Sequence, residues 1–349
     1  MSARAEEDER FMRLALREAA RGVGHTSPNP AVGAVIVRGG RVVARGFHRA
    51  AGQPHAEIEA LRALRSPAQA GGATMFVTLE PCSTHGRTGP CTAAILAAGV
   101  RRVVIGATDP NPHHAGRGVG ILEAGGVEVH AGVLGEECAR LNRAFNRWIV
   151  TGRPWVIAKA ALTLDGRLTR PPGEDRWLSG PAARAHAHRQ RARVDAILIG
   201  AGTLRADNPR LTVRGVPPGD AGSARQPWRV VWTRRGDLPA DAHLFTDEWK
   251  DRTLVFQGEP LTEVLEELGR RQATSVLIEG GGQVLGEAFD RGLVNEVQFY
   301  FTPFLAGGPV VAVAGEGFAL PPGRELCDCR YERLGPDVSL TAEVRRGGG

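Results

Sequence analysis

The sequence predicts an α/β protein of two domains, and three observations carry that expectation. Its 349 residues exceed the roughly 100–200 residues of one ordinary domain. Short apolar runs alternate with stretches of helical period, the pattern of helices layered on sheets. At Thr151-Gly152-Arg153-Pro154 the alternation stops and then begins again with a strand, dividing the chain into 1–152 and 153–349. Hydrophobic residues make up 42% and charged residues 23%, so each half can bury a core without disulfide support.

In the first half, Phe11, Leu14, Ala15 and Ala19 share one helical face within 9–21, and Gly22 is a natural stop. The apolar run 32–37, the Gly39-Gly40 turn and residues 41–45 read as a hairpin. Ile58, Leu61 and Leu64 predict a helix over 55–65. A strand at 73–79, a helix at 92–98, a strand at 102–107 and a closing helix at 136–150 follow. The second half runs strand 155–160, helix 181–191, strands 196–200 and 228–232, helix 261–271, strand 275–279, helix 284–291 and strand 296–301. Gly, Pro and Ser dominate between Val213 and Gln226, which predicts a mobile loop.

The net charge is +6, and only Lys159 and Lys250 are lysines. Such a bias toward arginine is by default compositional; where it is functional, it suits guanidinium forks holding an anion. The basic residues are spread along the chain and aromatics are 5%, so neither a nucleic-acid footprint nor a stacking platform is expected. No run approaches the roughly 20 apolar residues of a membrane helix. The polar start, Met1 to Arg10, is not a secretory signal, and the expected compartment is the cytoplasm. Five cysteines, an odd count, are not a disulfide framework. Cys138 is expected to be buried. Cys327 and Cys329 would share one strand face without a third ligand and are expected to be structural.

Cys82 and Cys91 are different. His55-Ala56-Glu57 opens one predicted helix, Pro81-Cys82 follows a strand, and Cys91 begins another helix. His, Cys and Cys make a three-ligand zinc set that leaves a fourth position for water, as a catalytic zinc requires. Helix N-termini would favour both thiolates. Glu57 need not be a ligand, and a carboxylate there can pass a proton from water to a leaving amine. His-x-Glu with Pro-Cys-x-x-Cys marks zinc nucleobase deaminases, but here eight residues separate the cysteines. Against this stand a helix-capping His55 with two core cysteines, and a structural zinc with His85 as fourth ligand.

His55-Ala56-Glu57 with Pro81-Cys82-Ser83-Thr84-His85-Gly86-Arg87-Thr88-Gly89-Pro90-Cys91 resembles the deaminase domain of the bifunctional riboflavin biosynthesis family RibD. Ser27-Pro28-Asn29-Pro30-Ala31-Val32-Gly33 and Asp109-Pro110-Asn111-Pro112 agree with it; Gly89 departs from the family's usual proline. The resemblance implies a cytidine-deaminase-like domain that hydrolyses a ring amino group. The substrate it implies is a pyrimidinone bearing a ribosylamino 5′-phosphate, with Asn29 and His48 lining the pocket.

The second half carries Lys159-Ala160-Ala161-Leu162-Thr163-Leu164-Asp165-Gly166, the run from Asp195 through Gly200, Gly202 and Thr203 to Asp207, and Ile278-Glu279-Gly280-Gly281-Gly282. Glycines between a strand and a helix suit a phosphate cradle, though this is not the usual dinucleotide fingerprint and can equally be a tight turn. Arg191 and Arg214 are candidate phosphate clamps. Together the segments resemble the RibD reductase domain, dihydrofolate-reductase-like in fold, over about 154–345. By that resemblance NADPH reduces the ribosyl group to ribityl. Ala161, Trp177, Thr203, Asp207, Thr233, Gly281 and Gly282 fall at cofactor positions. Lys159, Asp175, Arg191, Leu211, Arg214 and Glu279 fall at substrate positions. Asp175 stands where a serine is common, and Leu162 where relatives often carry a smaller residue. Lys159 is a candidate for protonating the opening sugar, a buried lysine having a lowered pKa; the other reading is a lysine that only binds. The expected ligands are therefore one zinc, NADPH and a small phosphorylated pyrimidine, with no nucleic acid and no membrane, and a possible homo-oligomer. The rival reading is a nucleic-acid base deaminase with a non-catalytic C-terminal module.

Overall fold

The structure is a computed structural model that describes residues 2–84, 89–111, 114–169, 177–219, 222, 225–317 and 325–345. Two compact units divide the chain, one built on Met1–Gly152 and the other on Arg153–Pro217 and Ala224–Gly349.

The first unit runs α1 (Ala3–Ala20), β1 (Gly33–Arg38), β2 (Arg41–Phe47), α2 (Ala56–Arg62), β3 (Thr74–Leu79), α3 (Cys91–Ala97), β4 (Arg102–Ala107), α4 (Arg117–Ala124), β5 (Glu128–Ala131), α5 (Gly135–Leu141) and α6 (Arg143–Thr151). Its sheet has the order β2-β1-β3-β4-β5. β1 pairs antiparallel with β2 and β3, and the remaining pairs are parallel. Both faces are covered, so β1 and β3 are buried along nearly their whole length. Ala34 and Ile36 pack with Ala60, Ile95 and Leu122 on one face. Val35 and Val37 pack with Phe11, Met12 and the buried Cys138 on the other. α2 lies so close to β2 that a side-chain carbon at Gly46 would come within 2.3 Å of the Ala60 nitrogen.

The hairpin, α2, β3, α3 and β4 stand close to their predicted places. α1 starts six residues earlier than its apolar face required, because Ser2 caps it by accepting the Ala5 N–H at 3.3 Å. The single closing helix is two. Asn142 turns its amide onto the buried backbone of Ala31, accepting the N–H at 2.8 Å and donating to the carbonyl at 2.9 Å, and its φ of −105° breaks the helix there. α4 and β5 were not foreseen.

The second unit runs β6 (Trp155–Thr163), α7 (Pro181–Arg191), β7 (Ala196–Gly200), α8 (Ala201–Asp207), β8 (Trp228–Thr233), α9 (His243–Thr246), β9 (Thr253–Gln257), α10 (Leu261–Arg270), β10 (Ser275–Ile278), α11 (Gly282–Asp290), β11 (Glu296–Thr302), β12 (Leu326–Leu334) and β13 (Asp337–Val344). The sheet order is β12-β13-β11-β6-β10-β7-β8-β9, parallel from β11 to β9 and antiparallel at the β12 end. α10 and α11 pack on one face with Val156, Ala158 and Val276. Leu162 belongs to that core. Cys327 and Cys329 do lie in a strand, but β12 has a register irregularity after Cys327 and Asp328 takes φ +52°, so the simple alternation expected of them is broken. Of the loop expected at 213–226, the described part is tied at its base by Gln226, whose amide bonds the Val213 N–H at 2.8 Å and carbonyl at 3.1 Å. No helix among the described residues is long and apolar enough to cross a membrane.

Candidate active sites

In the first unit, His55 caps α2, Cys82 follows β3, and Cys91 begins α3. His55 Nδ1 lies 3.4 Å from each cysteine Sγ, and the three donor atoms all lie within 4.8 Å of one another. Only Cys91 sits at a helix start; Cys82 is in the loop, where it accepts the Cys91 N–H at 3.4 Å. The neighbouring Cys91 thiol holds the Cys82 pKa well below its ordinary value, while its own is pushed up. Two soft sulfurs and an imidazole converging at this distance fit zinc. The fourth ligand considered for a structural zinc, His85, lies outside the described residues.

Glu57 sits within the first turn of α2 and is buried. Burial pushes its carboxyl up to about 7, against the pull of His55, so near neutrality it can both take and return a proton. His48, also buried, bonds the Pro54 carbonyl through Nδ1 at 3.0 Å and meets Asn29 Nδ2 through Nε2 at 3.1 Å. A carbonyl only accepts, so the ring proton is on Nδ1 and Nε2 accepts from the Asn29 amide. That leaves Asn29 Oδ1 an acceptor. His48 also stands edge-on to the His55 ring, with centroids 5.3 Å apart. Burial lowers the pKa of His48 and keeps it neutral.

Sequence reasoning missed Glu80. Its buried carboxylate accepts the backbone N–H groups of Asp109, Gly116, Gly118 and Val119 at 2.8–3.4 Å. It thus holds the loop and start of α4 beside the Pro81-Cys82 turn. Its place directly before Pro-Cys was the available signal. Asp109 and Asn111 join in a local turn, Asp109 Oδ1 accepting the Asn111 N–H at 2.9 Å; Pro112 lies outside the described residues.

The second unit contains a cavity of about 990 Å³, at the upper end of small-ligand sites. Its walls include Lys159, Ala161, Trp177, Thr203, Asp207, Arg191, Arg214, Thr233, Glu279, Gly281 and Gly282, eleven of the thirteen positions singled out for cofactor and substrate. Asp175 lies outside the described residues. Leu211 packs its side chain inward with Ile197, Ile199 and Leu204, its backbone takes φ +51°, and it is not among the residues lining the cavity. Leu162 is not on the cavity wall either.

Glu279 anchors the polar end. Arg191 grips it with two bonds of 2.6 and 2.8 Å, and Lys159 Nζ lies 3.9 Å away. Burial opposes its charge, but Arg191 and Lys159 prevail and hold the carboxyl at about 2. Burial lowers the pKa of Lys159, against the pull of Glu279. The ammonium also faces the Tyr300 ring at 5.7 Å, and the Tyr300 hydroxyl bonds His186 Nδ1 at 2.9 Å. At the other end, α8 and α11 both start at the wall. A side-chain carbon at Gly282 would lie 2.1 Å from the Val311 carbonyl oxygen, so glycine is required there. Helix-start N–H groups beside glycine, in a cavity of this size, fit a phosphate-bearing dinucleotide. Sequence reasoning missed His188 and Tyr300, both on the wall.

Residues 5–107 match the cytidine and deoxycytidylate deaminase zinc-binding region, and residues 154–340 match the RibD C-terminal domain. With the two folds above, these define a bifunctional enzyme: a cytidine-deaminase-like domain followed by a dihydrofolate-reductase-like reductase domain. The chain is 37% identical to the riboflavin biosynthesis protein RibD of Escherichia coli, over 96% of this chain and 98% of that one. It is 40% identical to RibD of Synechocystis sp., over 96% and 95%. Its structure is similar to that of Acinetobacter baumannii RibD, with a TM-score of 0.89, 35% identity and coverage of 98% and 100%. It is also similar to the diaminohydroxyphosphoribosylaminopyrimidine deaminase/5-amino-6-(5-phosphoribosylamino)uracil reductase of Thermotoga maritima, with a TM-score of 0.88, 33% identity and coverage of 98% and 100%. The chain belongs to the RibD family, the deaminase/reductases of riboflavin biosynthesis. The rival reading, a nucleic-acid base deaminase with a non-catalytic C-terminal module, is displaced by the similarity to RibD along nearly the whole chain.

Proposed function

We propose that residues 1–152 deaminate 2,5-diamino-6-ribosylamino-4(3H)-pyrimidinone 5′-phosphate and residues 153–349 reduce the product's ribosyl group to ribityl with NADPH. The observation that carries this reading is the meeting of His55, Cys82 and Cys91 beside the buried Glu57. Zinc held by those three ligands supplies Lewis acidity that makes water a nucleophile near neutral pH. Glu57 takes a proton from the attacking water and returns it to the departing amino group, so that water and amine become carbonyl and ammonia. Asn29 Oδ1 accepts from a ring N–H or amino group, and His48 keeps that amide from turning over.

In the second unit, NADPH supplies a hydride. Gly281 and Gly282 at the start of α11, with Thr203, Asp207 and Thr233, form its binding wall. Ala161 and Trp177 flank it, Glu279 with Arg191 faces the sugar, and Arg214 holds its phosphate. Lys159, kept close to Glu279, holds the proton that the opened sugar needs as it accepts hydride. A cytoplasmic setting fits the unpaired cysteines among the described residues.

The test supplies purified protein and zinc with the diaminopyrimidinone ribosyl phosphate and follows ammonia release and NADPH oxidation separately. Both signals are expected. Ammonia without NADPH consumption, even when the deaminated intermediate is supplied, overturns the reductase half; neither signal with zinc bound overturns the substrate.

A further inference from the structure

We propose that His188 is a further substrate-binding residue of the reductase cavity, donating its Nε2–H to the phosphate monoester of the substrate. The proposal rests on reading that cavity as the reductase site. His188 lies on α7 three residues before Arg191, on the same helical face, and lines the cavity. The Arg214 backbone N–H donates to His188 Nδ1 at 3.2 Å. Nδ1 is therefore the lone-pair nitrogen, and the neutral ring carries its proton on Nε2. Among the described residues that Nε2–H has no partner.

The surrounding charges say what it awaits. Lys159 on β6, Arg191 on α7 and Arg214 face the ring's neighbourhood against the single carboxylate of Glu279, leaving an excess of two positive charges. A phosphate monoester carries roughly 1.5–2 negative charges at neutral pH and balances them. The Arg191 fork is already taken by Glu279, and Arg214 gives one N–H to Thr212 Oγ1 at 2.9 Å. The rest of the Arg214 guanidinium and the His188 Nε2–H are donors open to the anion. Burial, with Arg191 and Arg214 nearby, holds His188 down at about 4, so the ring donates directionally without adding a third surplus charge.

Two substitutions separate this from a purely structural role. In His188→Asn the short amide can still accept from Arg214 at the place of Nδ1, but nothing reaches the place of Nε2. In His188→Gln the longer amide supplies a donor there and gives up the acceptor. Calorimetric titration with inorganic phosphate, and KM and kcat for 5-amino-6-(5-phosphoribosylamino)uracil, would be measured for both variants and wild type. The unphosphorylated nucleoside serves as control. Expected for His188→Asn is a roughly 10- to 100-fold rise in phosphate Kd and in KM, with kcat little changed and the nucleoside unaffected; His188→Gln stays close to wild type. The reverse order would show that His188 only anchors Arg214, and equal losses with phosphorylated and unphosphorylated ligands would show that it does not meet the phosphate. Unchanged binding in both variants would also overturn the proposal. Wild type that binds phosphate in the expected order yet oxidises no NADPH would instead overturn the reductase reading and leave His188 as an anion ligand.

Discussion

Glu57 and Glu279 are both enclosed carboxyls that burial alone would neutralise, and their neighbours send them opposite ways. Burial outweighs the pull of His55 on Glu57, which rises to about 7, whereas Glu279 has Arg191 and Lys159 and falls to about 2. The first is suited to moving a proton, the second to remaining a fixed charge. Glu57→Gln is expected to cut ammonia release by roughly 10²- to 10⁴-fold while zinc content, read by atomic absorption, stays at one per chain; loss of the metal with the activity would make Glu57 a structural residue instead. Glu279 also links stability to pH. Its folded pKa lies below the ordinary 4.5, so its contribution is complete above that value and declines as pH falls toward 2. His188, depressed from 6.5 to about 4, acts in the window above: protonation favours the unfolded chain, so stability falls between pH 6.5 and 4. Urea unfolding of wild type is expected to show both losses, and His188→Asn to be flatter between pH 6.5 and 4; identical slopes would remove His188 from the linkage. His55, Glu57 and the cysteines were legible as a motif because spacing and residue type carry them. His188 and Tyr300 were not, because an isolated His or Tyr in a helix or strand is unremarkable until folding brings it to a cavity wall.

Elements place these residues through a few close contacts. α2, which carries His55 at its cap and Glu57 in its first turn, lies directly against Gly46 of β2. Gly46→Val is expected to push α2 outward, lowering zinc affinity and ammonia release together, because a backbone-to-backbone approach cannot be relieved by a rotamer. Unchanged zinc affinity in that variant would show that α2 has another seat. The break at Asn142 has a similar reach, since its amide holds Ala31, two residues from Asn29. Asn142→Leu strands a buried N–H and a buried carbonyl, at about 1–3 kcal/mol each; a lower melting temperature and a raised KM for deamination are expected. The long predicted helix 136–150 failed for this reason: periodicity reports an apolar face, not a distant backbone that needs an amide. β7 was legible because five consecutive buried residues could be taken only as a central strand. β12 was not, because it is an edge strand whose residues are mostly exposed, so no apolar run marks it in the sequence.

In the whole molecule, each constellation draws its described residues from one unit: the metal trio, Glu57, Asn29 and His48 from the first, and the cavity wall from the second. The two activities are therefore expected to be separable. A thiol-compatible chelator should abolish ammonia release and leave NADPH oxidation intact when the deaminated intermediate is supplied. Lys159→Met should do the opposite. Loss of both signals on chelation would show that the second site depends on the metal of the first.

Most of the strands and helices, the break near Gly152 and the His55, Cys82 and Cys91 motif could be read from the linear chain, since periodicity, punctuation and motif spacing are local properties of a sequence; the cavity positions named in advance came from the family resemblance. What emerged only on folding is the set of long-range partners: Glu80 with the loop after β4, Asn142 with Ala31, Arg191 with Glu279, and the Arg214 backbone with His188. Hydrogen bonds and ion pairs depend on distance and direction in space, and residues tens of positions apart acquire those only when sheets and helices have packed.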